Sequence, residues 1–162
     1  NTFNNYQGGT GASNVVVNGA DVFIKIYNDT TGTLTNGDCY FLSNFKDADS
    51  LSPSANYTLD AIAQSASVYR QIVVVNNSLL GKTTIADTEY GYVQVSGYCP
   101  KIKVAAGMTA EASLIGEAGA TAANTDGAAY TTDTFAISKS AIDGDGFATA
   151  VLFGERSFVT AA

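Results

Sequence analysis

The chain has 162 residues and a mass of 16.7 kDa, enough for one domain with a buried core and too few for two full-sized ones. Charged residues make up 14%, against roughly 25% in a typical soluble domain, and small polar residues replace them. The hydrophobic share of 46% argues against a disordered acidic tail. The net charge of −7 argues against direct binding to nucleic acid or to an anionic membrane, since both need a cationic face.

Targeting segments are not evident. No apolar run reaches the roughly 18 residues of a membrane-spanning helix. Residues 1–13 lack the basic and apolar regions of a signal peptide. We therefore expect neither a membrane nor a nucleic acid among the partners of this chain.

The first 20 residues of the chain contain few large apolar side chains with which to build a core. Residues 1–20 are rich in Gly and Asn and predict an extended N-terminal arm, with a short strand at Val15–Val17, ahead of a β domain over residues 21–162. Asn18-Gly19 predicts a tight hairpin turn. The alternating run Val22–Tyr27 then predicts a strand.

The next segment mixes strand and helix signals. Asn36-Gly37 predicts a second hairpin turn, which joins a short strand at Thr33–Thr35 to another at Cys39–Leu42. Thr58–Ser67 is the best helix candidate, because its apolar residues fall at helical spacing after a threonine cap. Ile72–Val75 is wholly apolar and predicts a strand buried on both faces.

The second half continues the β pattern. Strands are predicted at Tyr90–Tyr98 and Ile102–Val104. The following stretch, Ala105–Ala129, consists mostly of small residues and is punctuated by glycine, so an Ala/Gly-rich hairpin is favoured there over a weak helix at Thr109–Ala118.

Two more strands close the chain, at Thr134–Ser138 and Phe147–Phe153. Many short strands separated by turn signals predict an all-β, single-domain β-sandwich or β-barrel.

The residues that most enzymes use are scarce. The sequence contains no His, which removes the commonest general base and the usual zinc ligand. The run Asp143–Gly146 lacks the later ligands of a calcium loop and is interpreted as a tight turn. No spacing of carboxylates selects an acid–base pair. We therefore expect no catalytic residue, no cofactor and no metal.

Cys39 and Cys99 are the only cysteines. They either form a bridge or remain reduced as small buried hydrophobic side chains, and the apolar residues beside both favour the second interpretation.

Tyrosine is abundant, with nine residues. Three of them, Tyr90, Tyr92 and Tyr98, share the less apolar face of one predicted strand. They indicate either an interaction surface, as in a lectin, or simple strand propensity.

Several short motifs together resemble one protein family. Ile26–Gly32 and Leu34–Asp38 resemble the opening strand and turn of the capsid decoration (cement) proteins of tailed bacteriophages. Tyr90–Gly97 resembles their glycine–x–valine–glutamine strand. Val104–Gly107 is similar to their small-residue hairpin region, and Phe135–Phe153 to their closing pair of strands.

The resemblance implies a β-tulip-like body and a non-enzymatic role. Such proteins sit on the outside of the phage head as oligomers, often trimers, and bind the major capsid protein. For this chain the resemblance implies a homotrimer, with a dimer as the alternative, in a virion assembled in the host cytoplasm. In this chain the expected docking residues are apolar side chains of the arm, of one tyrosine strand and of the small-residue hairpin. They are Phe3, Tyr6, Val15, Val16, Val17, Tyr92, Met108, Leu114 and Ile115.

Two alternatives share the same β architecture. A secreted adhesin, pilin-like subunit or lectin predicts an oxidised Cys39–Cys99 bridge. A glycan-active enzyme that uses two carboxylates predicts a concave site with an acid of raised pKa.

Overall fold

The computed structural model describes residues 4–6, 15–43, 57–62, 71–117, 119–125 and 134–154, and only the backbone of 4–6 and 43. It is nearly all-β, with 54% of residues in strands, and a curled antiparallel sheet forms a half-barrel, which confirms the all-β single-domain class. The strands are β1 (Asn4–Tyr6), β2 (Val15–Asn18), β3 (Asp21–Tyr27), β4 (Leu34–Thr35), β5 (Cys39–Ser43), β6 (Thr58–Asp60), β7 (Ile72–Val75), β8 (Thr84–Ile85), β9 (Tyr90–Lys103), β10 (Ser113–Gly116), β11 (Ala123–Thr125), β12 (Ala136–Ser138) and β13 (Phe147–Phe153). A 3₁₀ turn occupies Ser78–Leu80.

The long strand β9 organises the sheet. One edge of its first half pairs with β3, and the opposite edge pairs with β7 at Gln94 and with β13 from Ser96 onward. Just after this change of neighbour, Gly97 has a positive φ of 91°. The strand expected separately at Ile102–Val104 is the continuation of β9 as far as Lys103.

Two buried clusters lie on opposite sides of β7. Val73 and Val75 belong to the cluster beneath β3 and the first half of β9. Ile72 and Val74 belong to the cluster beneath β13 and the second half of β9. All four side chains are at most 2% exposed, which confirms the prediction of a strand buried on both faces.

The predicted helix at Thr58–Ser67 is wrong over its described part. Thr58–Asp60 is strand β6 and pairs antiparallel with β5, with Leu59 opposite Leu42. Leu59 and Ile62 are both buried. Their helix-like spacing in the sequence therefore arises because both side chains contact the core, and not because they lie on one face of a helix. Residues 63–67 lie outside the described part of the chain.

The prediction of a hairpin at Asn36-Gly37 is also wrong. A turn is present, closed by the Asp38 N–H donating to the Thr35 carbonyl at 3.1 Å. However, β4 pairs with β8, while β5 pairs with β6 and β7. The chain therefore passes from a small two-stranded sheet into the main sheet at this turn.

Two other turns were predicted correctly. β2 and β3 form a hairpin in which Asn18 pairs with Asp21 and Gly19 takes a positive φ of 61°. β10 and β11 form the hairpin preferred over a helix in the small-residue segment.

Buried asparagines fix the loops at one end of the half-barrel. Asn28 is fully buried, and its Nδ2 donates to the carbonyls of Gly32 at 2.7 Å, Ile85 at 3.0 Å and Ala86 at 3.0 Å. Its Oδ1 accepts from the backbone N–H and the hydroxyl of Thr30. The side-chain amide of Asn28 thus provides a hydrogen-bond donor for three backbone carbonyls.

Candidate docking surface

The outward side of β9, β13, β12 and β10 carries several apolar side chains, interrupted by Ser113, opposite Ile137, and by Ser96, opposite Phe153. Tyr98 lies opposite Val151, and Val151 lies opposite Ile137. Because side chains alternate along a strand, their neighbours at the next positions point inward. We call this row the outer face. Its members are Tyr98, Ile115, Ile137, Val151 and Phe153.

The inward partners of this row form the core. Leu114, Ala136, Ala150 and Leu152 are at most 3% exposed and belong to one buried cluster. The inward side of β13 is unusually small, with alanine at two of its three positions. The bulky residues of that strand therefore project to the solvent side.

Two aromatic side chains dominate the outer face. Tyr98 is 52% exposed and Phe153 is 41% exposed. Ile115, Ile137 and Val151 are half-buried beside them. Contiguous exposed apolar side chains on a regular sheet are typical of a protein-binding surface.

A second surface, the tyrosine face, covers β3 and the first half of β9. Tyr27 and Tyr90 are opposite each other, with ring centroids 5.1 Å apart. The Lys25 Nζ lies 4.8 Å from the centroid of the Tyr90 ring. Tyr92 is opposite Lys25 and is half-buried. These contacts hold the aromatic rings in fixed orientations.

The N-terminal docking residues are distributed over different environments. Phe3 lies outside the described residues, and Tyr6 is described only as a backbone position of β1, opposite Val15. Val15 packs against the cluster beneath β3. Val16 is 8% exposed, and Val17 is half-buried opposite Val22. Residues 15–18 are thus paired within the sheet.

Met108 and Leu114, two of the predicted docking residues, lie in the core. Met108 is 2% exposed and Leu114 is fully buried. Both belong to the cluster beneath β13, so neither side chain is part of the exposed surface. Ile115, the next residue along β10, points the other way and is a member of the outer face.

Sequence reasoning also missed the principal residues of the outer face. The sequence pattern places Tyr98 only among three tyrosines on a shared face and assigns no docking role to Phe153, Val151 or Ile137. The alternation of alanine with large residues in β13 was the available signal, because a strand packed closely against other core elements puts its small residues inward.

Both cysteines are buried and unbridged. Burial raises the pKa of the Cys99 thiol to about 12 and raises that of Cys39 further. This geometry confirms the prediction of two free thiols within the core.

The buried thiols lead to a chemical prediction. We expect neither cysteine to react with a thiol-specific reagent in mildly alkaline buffer while the protein is folded, because both are protonated and inaccessible. Both should react within minutes in denaturant. Intact-mass analysis with and without denaturant measures this, and rapid labelling of the folded chain would contradict the burial of these side chains.

The turn at Asp143–Gly146 borders an open cavity of about 220 Å³. The Asp143 Oδ1 accepts from the backbone N–H groups of Phe147 at 2.8 Å and Asp145 at 2.9 Å. The bond from Phe147 is the main cause of the lowered pKa of this carboxyl group. Across the cavity, the Lys101 Nζ lies 4.1 Å from the centre of the Phe147 ring. These hydrogen bonds indicate that the Asp143 carboxylate stabilises the turn.

No cluster of three or more metal-ligating side chains occurs among the residues that the structure describes. In the same residues, no helix has the length and apolar character needed to cross a bilayer. Comparison with protein-family models, with curated proteins and with solved structures finds no match.

Proposed function

We propose that this protein is a non-enzymatic structural protein that binds the outside of a tailed-phage head. It stabilises contacts between neighbouring major capsid proteins and acts as a homo-oligomer, most simply a homotrimer. The observation that carries this is the outer face, an uncharged apolar row with two exposed aromatic rings on a rigid sheet. The sequence motifs that resemble decoration proteins support the same assignment.

The physical logic of such a clamp is mass action. A protein that binds only the assembled shell lowers the free energy of that state by RT ln(1 + [L]/Kd). It needs a complementary surface and a fold that does not deform on binding. The half-barrel supports the second requirement, because the residues behind the outer face are close-packed in the core.

The absence of charge on the outer face determines the type of contact. Its side chains are aromatic or aliphatic, whereas the whole chain carries a net charge of −7. Apolar contacts are screened little by salt, unlike attraction between exposed charges. We therefore attribute head binding to burial of the aromatic rings, with the acidic remainder of the surface providing solubility.

A double variant tests this surface. We expect Tyr98→Ser with Phe153→Ser to weaken binding to heads that lack decoration protein by roughly tenfold or more, since buried aromatic anchors dominate interface energies. The melting temperature should change little, because both rings are exposed in the free domain. Co-sedimentation of purified protein with heads, at several concentrations and two salt concentrations, gives the affinity.

The matched control is Leu80→Ser. Leu80 is 50% exposed and lies in the 3₁₀ turn, away from the outer face. This variant should bind heads as the parent does. Equal losses in both variants, or wild-type binding by the double variant, would contradict the assignment. A change of oligomeric state in the double variant alone would instead assign the outer face to contacts between copies.

The tyrosine face favours a second candidate, a sugar-binding adhesin. Tyr90 is 42% exposed and its ring is oriented by Tyr27 and Lys25, an arrangement on which a sugar ring can stack. The bridge between cysteines that an exported adhesin predicts is not formed in the structure. Binding on a glycan array that is lost in Tyr90→Ser, together with no binding to heads, would favour this candidate over the capsid protein.

A further inference from the structure

Two Asn-Gly pairs in this chain lie in contrasting environments. An asparagine followed by glycine is the sequence most prone to spontaneous deamidation, because glycine lets its backbone nitrogen approach the asparagine side chain. The pairs are Asn18-Gly19, in the β2–β3 hairpin, and Asn36-Gly37, between β4 and β5. The two pairs differ in whether the groups that would react, the asparagine side chain and the glycine N–H, are hydrogen-bonded.

Three hydrogen bonds occupy the groups of the Asn36-Gly37 pair that would react. The Asn36 Oδ1 accepts from the Asn77 backbone N–H at 2.9 Å, and the Asn36 Nδ2 donates to the Lys82 carbonyl at 3.2 Å. The Gly37 N–H donates to the Val75 carbonyl at 2.8 Å. Gly37 is also buried. Both reacting groups are therefore occupied in the folded state.

The Asn18-Gly19 pair has no such protection. Within the described residues, no hydrogen bond involves the Asn18 side chain, and none outside the strand ladder involves the Gly19 N–H. Gly19 is exposed, and a Cβ added there would meet nothing within 4 Å. Water reaches this backbone, and the turn can adjust its dihedral angles without breaking a core contact.

We propose that Asn18 is a site of spontaneous deamidation in the folded protein and that Asn36 is protected from it. The deprotonated Gly19 nitrogen attacks the Asn18 Cγ, a C–N bond forms, and the side-chain nitrogen leaves as ammonia. Water then opens the resulting succinimide ring at either carbonyl, which gives aspartate or isoaspartate at position 18. The reaction needs only water and base, and nothing is oxidised or reduced.

The modification has a structural consequence at this hairpin. Asn18 is directly opposite Asp21, whose Oδ1 accepts from the Tyr98 N–H at 2.9 Å. A new carboxylate would face an existing one across the strand pair, which is unfavourable. The isoaspartate form also lengthens the backbone of the turn by one carbon. Aged protein should therefore hold β2 less firmly against β3.

Peptide mapping of the folded full-length protein during incubation in mildly alkaline buffer tests the assignment. We expect conversion of Asn18 to run at least about tenfold ahead of Asn36, which corresponds to an opening free energy of about 1.4 kcal/mol at the protected turn. In denaturant the two sites should convert at similar rates, since both are Asn-Gly. The variant Asn18→Gln should remove the fast conversion while leaving Asn36 unchanged.

Two results would overturn the assignment. One is an equal rate at both sites in the folded protein, and the other is Asn36 reacting first. If Asn18 reacts no faster than Asn36 while both react in denaturant, the hairpin itself protects its asparagine and the inference is wrong. None of these outcomes depends on whether the protein binds phage heads.

Discussion

Replacing Gly97 by Ala is expected to destabilise the protein by about 3–5 kcal/mol, which combines left-handed backbone strain with steric overlap. Gly97 has a φ of 91° and lies in β9 opposite Leu152 of β13. An added Cβ would overlap the Asp21 Oδ1 and lie 2.7 Å from the Ala20 carbonyl oxygen. The β2–β3 hairpin would therefore have to move away from β9. The same strand, β9, also carries part of the outer face.

Gly146→Ala is the matched control for this effect. Gly146 has the same φ of 91°, but a Cβ added there would meet nothing within 4 Å. The control isolates backbone strain, and its effect should be about 1–2 kcal/mol. Urea unfolding of the two variants and the parent measures the difference. Equal losses of stability would mean that the hairpin does not pack against Gly97 as described.

Asn28→Asp is expected to destabilise the folded state by about 3–5 kcal/mol at neutral pH, because it places a buried charge where an amide donated hydrogen bonds. The side chain keeps its shape, but an oxygen replaces the nitrogen that faces the carbonyls of Gly32, Ile85 and Ala86. Four partial negative charges would then meet in a fully buried site. Desolvation and these carbonyls should raise the pKa of the new carboxyl group in the folded state.

The sign of the pH dependence follows from that raised pKa. The charge penalty is absent below the ordinary Asp pKa of about 3.9. It grows as the pH rises toward the folded-state pKa and is constant above it. The stability deficit relative to the parent should therefore shrink as the pH is lowered from neutral. Asn28→Ala, which removes the donor without adding a charge, should show a pH-independent deficit; the same flat profile in Asn28→Asp would contradict this account.

Local sequence signals were sufficient for much of the β architecture. The alternation in Val22–Tyr27 and Phe147–Phe153 and the apolar run Ile72–Val75 each correspond to an observed strand. The pairing of β4 with β8 joins segments that are distant in sequence. A turn motif such as Asn36-Gly37 fixes the local bend of the chain but not the strand that each side will pair with.

The candidate site shows the limit of period-2 patterns. Alternation predicts two faces of a strand but does not say which face is buried. On β10 this difference separates Leu114, which is in the core, from Ile115 on the outer face. On β13 the bulkier side faces solvent. That orientation is determined only by the way β9, β12 and β13 pack around the cluster beneath β13.

The proposed role as an external capsid clamp is tested most directly by whether purified phage particles contain this chain. Quantitative mass spectrometry before and after protease treatment of intact particles measures both its amount and its exposure. The account predicts a fixed ratio to the major capsid protein and release or cleavage by external protease. Absence from the particles, or complete protection inside the head, would contradict a role as an external capsid clamp.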